Sequence, residues 1–89
     1  MALYRVVEYW RDKPMFEATR ATRPSANRLA YDRVYGHLNV TGGRDTQRGW
    51  RMVKTLEDWF RNGMHAEHGD RVSLTDTLYD TRIDVVRVR

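Results

Sequence analysis

Residues 3–10, Leu-Tyr-Arg-Val-Val-Glu-Tyr-Trp, are dominated by β-branched and aromatic side chains, and they predict a strand. Arg11-Asp12-Lys13-Pro14 is turn chemistry, because proline presets its own φ and offers no N–H. Met15 to Ala21 reads as a second strand, so the chain opens with a hairpin. Thr22-Arg23-Pro24-Ser25 then supplies capping hydroxyls and an early proline, the signature of a helix start. Beyond it, Ala26, Leu29, Ala30, Val34 and His37 fall on one helical face, which predicts a helix from about Pro24 to Leu38 that covers the sheet.

The middle of the chain supports two readings. Asn39 to Gly49, with three glycines, is expected to be a loop. Gly49 to Lys54 is then expected to be a strand, followed by a short helix capped at Thr55 and carrying Leu56, Trp59 and Phe60 on one face. The alternative is a single helix from Thr46 to Asn62 with Trp50, Val53, Leu56 or Glu57, and Phe60 on its inner face. The two-element reading is preferred, because a continuous helix would not need a cap at Thr55. Gly63 suits a left-handed stop, and Met64 to Asp70 reads as a loop. Arg71 to Asp80 is ambiguous, with Val72, Leu74 and Leu78 fitting a short strand or a helical turn. Ile83 to Arg89 is a strand whose apolar alternation breaks at Arg87 and Arg89, where it is expected to leave the core. The expected fold is one α+β domain over residues 1–89. It has an antiparallel sheet of three to five strands, one long and one short helix, and the order β-β-α-β-α-β.

Composition narrows the function classes. The 89 residues carry a formal net charge of +4, with 14 arginines but only two lysines, Lys13 and Lys54. Arginine recognises phosphate and carboxylate groups bidentately and stacks on aromatic rings, although a GC-rich coding sequence produces the same bias. The basic balance favours anionic partners, yet the 12 acidic residues are interspersed with the bases, as on a solvated mixed surface. There is no cysteine, hence no disulfide framework and no thiolate chemistry, in keeping with a cytoplasmic location. No secretory signal pattern and no run of about 18 apolar residues is present, so no membrane partner is expected.

Hairpin, helix and a closing Val-Val-Arg-Val-Arg strand form a β-β-α…β module. It resembles the module of very small phage-encoded proteins, including inhibitors of host RNA polymerase and several anti-CRISPR proteins. The matching pieces are Tyr4-Arg5-Val6-Val7-Glu8, Ala18 to Ala21 through Ser25 to Ala30, and Asp84-Val85-Val86-Arg87-Val88, about half the chain. Residues 39–80 have no counterpart. The resemblance implies a compact module that docks on a larger host protein or nucleoprotein complex in the host cytoplasm. It carries over no site residue.

Candidate chemistry is sparse, and neither a catalytic residue nor a cofactor is expected. His65, Glu67, His68 and Asp70 offer metal-ligand types, but the His-Glu-x-x-His pattern is absent and an exposed polar loop is the expected role. His37 is read as a satisfied core or boundary histidine. Arg28, Tyr31 and Tyr35, on the outer face of the first helix, combine the residue types that protein interfaces favour. Arg44, Arg48, Trp50 and Arg51 form the alternative site, a loop whose arginines contact a DNA or RNA backbone while the tryptophan stacks on a base. A small basic ribonuclease toxin is a third reading. The leading expectation is a non-enzymatic binding protein that docks on a host complex.

Overall fold

The computed structural model describes residues 2–61 and 70–88. The strands are β1 (Tyr4–Trp10), β2 (Lys13–Arg20), β3 (Arg71–Asp76) and β4 (Thr81–Arg87). The helices are α1 (Arg23–Thr41) and α2 (Gln47–Arg61), with one 3-10 turn at Thr77–Tyr79. The strands form one antiparallel sheet in the order β2-β1-β4-β3, giving the α+β class expected. The element order is β-β-α-α-β-β, which corrects the expected β-β-α-β-α-β.

The correction lies between Gly49 and Lys54. This segment belongs to α2, whose buried residues Gly49, Met52, Leu56, Trp59 and Phe60 recur at helical spacing. Thr46, not Thr55, caps the helix: its hydroxyl accepts the Gly49 N–H at 3.1 Å and donates to Gly43 O at 2.6 Å. The Thr55 hydroxyl donates to Arg51 O at 2.7 Å, a bond back to the preceding turn that a threonine can make within a helix. The loop expected over residues 39–49 shrinks to 42–46, because α1 continues to Thr41. There Gly42 adopts φ 71° and its N–H reaches Leu38 O, the left-handed stop that glycine permits without strain.

The hairpin turn at Arg11 and Asp12 places both residues at positive φ, as a two-residue turn between twisted strands requires. On β1 the side chains of Tyr4 and Val6 point at the helices, and on β4 so do those of Ile83 and Val85. Against them α1 sets a stripe of Ala26, Ala30, Val34 and Leu38, small enough near its start for close approach, with Leu29 packed at its margin. Trp59, Leu56 and Met52 of α2 supply the bulk over β3, where Val72 and Leu74 are buried. The sheet's other face carries no helix among the described residues.

β4 leaves the core at exposed Arg87, as its alternation implied. The ambiguous 71–80 segment resolves into β3 and the 3-10 turn, with Leu78 exposed. No helix among the described residues is long and apolar enough to cross a membrane.

Candidate functional site

The antiparallel α1–α2 hairpin presents an outer surface on which two separately expected sites partly merge. Tyr31 and Tyr35 lie one turn apart on α1 and stack, ring centroids 5.9 Å apart and planes within 17°. Arg44, in the short turn after α1, places its guanidinium 5.3 Å from the Tyr35 ring centroid. The expected phosphate-binding loop and the expected protein-binding face thus share an arginine–tyrosine contact. Arg28 is exposed on α1 and makes no ion pair with Asp32.

Trp50 is on a helix, not a loop, and 68% of its surface is exposed. Lys54, one turn later, lies 6.0 Å from its ring centroid. Trp50, Val53, Glu57 and Arg61 recur at helical spacing along one flank of α2. That flank meets α1, because Glu57, Phe60 and Arg61 line a cleft with Arg23, Asn27 and Tyr31. Asn27 Oδ1 is buried without a hydrogen-bond partner. Burial first, and then the neighbouring Glu57 carboxylate, push the Tyr31 phenol up to about 12, so it stays a neutral donor at physiological pH.

Arg48 leaves this surface. Its Nε sits 3.2 Å from both carboxylate oxygens of Asp76, and its guanidinium lies 5.4 Å from the Tyr79 ring centroid. Arg51 is exposed toward the β3 side of α2. Of the four residues expected to contact nucleic acid, Arg44 lies on Tyr35, Trp50 and Arg51 line one cleft on α2 with Lys54 and Asp58, and Arg48 is tied to Asp76.

Sequence reasoning missed Asp76 altogether. Its side chain is wholly buried, where it accepts from His37 Nε2 at 2.8 Å and from the Leu78 N–H at 3.2 Å. Burial alone would raise this carboxyl, but the hydrogen bonds from His37 and Arg48, with the Arg48 charge, hold it below its ordinary value. Tyr79 packs its ring edge-on to His37 and donates from its hydroxyl to Thr41 O at 3.3 Å. His37 is a satisfied boundary histidine, its side chain 7% exposed. Only the alternation of Val72, Leu74 and Asp76 along β3 hinted that this carboxylate faces inward. The cluster braces α1, α2 and β3 against one another.

The metal-ligand types at His65, Glu67 and His68 lie outside the described residues. Among the described residues, no group of three or more His, Cys, Asp or Glu side chains could hold a metal ion. Comparisons with family models, curated proteins and solved structures return no match to this chain. Every role assigned to a residue therefore rests on its own geometry.

Proposed function

We propose that this is a non-enzymatic binding module that docks on a protein of a larger complex through the outer surface of its helical hairpin. The observation that carries the reading is the Tyr31–Tyr35 stack with Arg44 laid on Tyr35. Tyrosine and arginine are the side chains that most often dominate interface energies, since they bury much area for little lost rotamer freedom. Here they are already ordered by their neighbours, which lowers the entropy cost of association. The cleft beside Tyr31 offers a partner side chain a seat next to these anchors. Such docking is the mode of action implied by the resemblance to small phage-encoded accessory proteins, with a host complex as the partner.

A second reading, direct binding of DNA or RNA, is favoured by one observation: Trp50 is exposed with Lys54 beside it and Arg51 next in sequence. An exposed aromatic among cations suits a stacked base and its phosphates. Acidic Asp45, Glu57 and Asp58 interrupt the cations of the same hairpin, which weakens a phosphate-tracking stripe. Parallel binding assays on Tyr35→Ala and on Arg51→Ala/Lys54→Ala, which strips the cations beside Trp50, separate the readings. Loss with the tyrosine and little salt dependence supports protein docking. Loss with the cations beside Trp50 and a steep salt slope supports nucleic acid.

A further inference from the structure

We infer that the groove between α2 and the outer edge of β3 is a second binding site, which takes an extended acidic peptide as a fifth strand of the sheet. The inference goes beyond the docking surface just described, which uses the opposite flank of the hairpin. It begins with the hydrogen-bond phase of β3. Asp70 O accepts from the Arg87 N–H at 2.7 Å, and the register runs Arg71 opposite Val86 through Asp76 opposite Thr81. In an antiparallel ladder, residues alternate between directing both backbone groups at the partner and directing both away. Arg71, Ser73 and Thr75 therefore point their N–H and C=O groups away from β4. Among the described residues, no strand pairs with that edge.

The two edges of the sheet differ. β2 carries Lys13 and Pro14, and its register with β1 shifts between Glu8 and Tyr9. Charge, proline and irregular register are how an edge is kept from pairing with another chain. β3 has no proline, and its register with β4 is unbroken over all six pairs. It keeps an edge that can accept a strand.

The groove beside that edge suits an extended chain. Buried Met52 and Leu74 line it, together with Thr55 and Arg51 from α2 and Ser73 and Thr75 from β3. Its volume, about 320 Å³, is at the lower limit for a small-molecule pocket, and a strand needs only seats for alternate side chains. Charge selects the occupant. Arg51 is exposed and makes no ion pair among the described residues, and the Arg48 side chain is partly exposed. Arg71 stands exposed at the start of the strand. The acid lining the groove, Asp76, is buried and already paired. A second copy of this chain would bring the same arginine-rich rim against itself, so an acidic strand is the better complement.

The test uses the full chain and two capped synthetic peptides, Glu-Val-Glu-Val-Glu-Val and its counterpart with lysine at every glutamate, followed by amide NMR and hydrogen exchange. The expected result is that the acidic peptide shifts and protects the amides of Ser73 and Thr75, while the basic one does not. Arg51→Glu should weaken binding by about tenfold or more. Thr75→Pro removes an outward N–H without removing a ladder bond, so it should abolish binding while the melting transition is kept. Tyr35→Ala should leave binding of this peptide unchanged, which separates the site from the hairpin surface. Shifts confined to the Tyr31–Tyr35 surface, equal binding of both peptides, or no protection at Ser73 and Thr75 at millimolar peptide would overturn the proposal. So would concentration-dependent dimerisation through β3 that excludes the peptide, since the occupant would then be a second copy.

Discussion

His37 Nε2 donates to Asp76 Oδ2 at 2.8 Å across 39 positions of the chain, and the bond is closed off from water on the carboxylate side. Together with Arg48 it joins α1, α2 and the end of β3 at one atom group. Asp76→Ala would leave His37 and Arg48 facing a vacated polar site and should cost about 3–5 kcal/mol, a large fraction of what a domain this size has. Chemical denaturation of the variant checks this.

The same carboxylate sets an acid limit. Its folded value lies below the ordinary 3.8, so the unfolded chain takes up its proton first as pH falls. The stability it contributes is fully present well above pH 3.8 and is lost as pH drops through the lower folded value. Melting temperature measured from neutral pH downward should fall on the acid side, and Asp76→Asn should flatten that fall.

Gly49 and Gly36 should respond oppositely to alanine. A Cβ on Gly49 would collide with the backbone oxygen of Gly43, where the α1–α2 turn closes on itself. Backbone cannot yield as a flexible side chain does, so Gly49→Ala should destabilise by about 1–3 kcal/mol. At Gly36, in the exposed interior of α1, nothing lies within 4 Å of the added atom. Gly36→Ala should stabilise by about 0.5–1 kcal/mol through helix propensity and a less free unfolded chain. Paired thermal melts read both signs.

The hairpin, α1 and β4 were legible in the sequence because their signals are local: Pro14 at the turn, Thr22 with Pro24 at the helix start, and Ile83 to Val86 as an apolar run. α2 was misread because Trp50, Val53 and Thr55 favour strands and caps when taken singly. The spacing of Gly49, Met52, Leu56 and Phe60 outweighs those preferences once Trp59 can be buried against the sheet. Tyr31 and Tyr35 were legible as helix neighbours at i and i+4. Arg44 joining them was not, since that contact depends on how the Gly42 stop turns the chain. Asp76 was illegible for the same kind of reason, as both its side-chain partners lie more than 25 positions away.

β4 lies between β1 and β3 and places Ile83 and Val85 in the core. Deleting residues 83–89 would split the sheet and empty its centre, so the truncated chain should show no cooperative melt by circular dichroism. A transition near that of the full chain would contradict the central position of this strand.

Tyr31 should titrate apart from an exposed tyrosine. An ultraviolet or NMR titration should find its phenol near pH 12, and Glu57→Gln should bring it down only in part, because burial is the larger cause.

The most direct test of docking through the hairpin surface measures capture of a partner protein by the immobilised chain, with Tyr35→Ala and Arg51→Ala/Lys54→Ala compared between about 50 and about 200 mM salt. The account predicts one protein whose affinity falls roughly 30-fold, about 2 kcal/mol, with Tyr35→Ala and changes little with salt. Generic DNA or RNA retained instead, with affinity falling steeply with salt, lost in the Arg51→Ala/Lys54→Ala variant and unaffected by Tyr35→Ala, would contradict it.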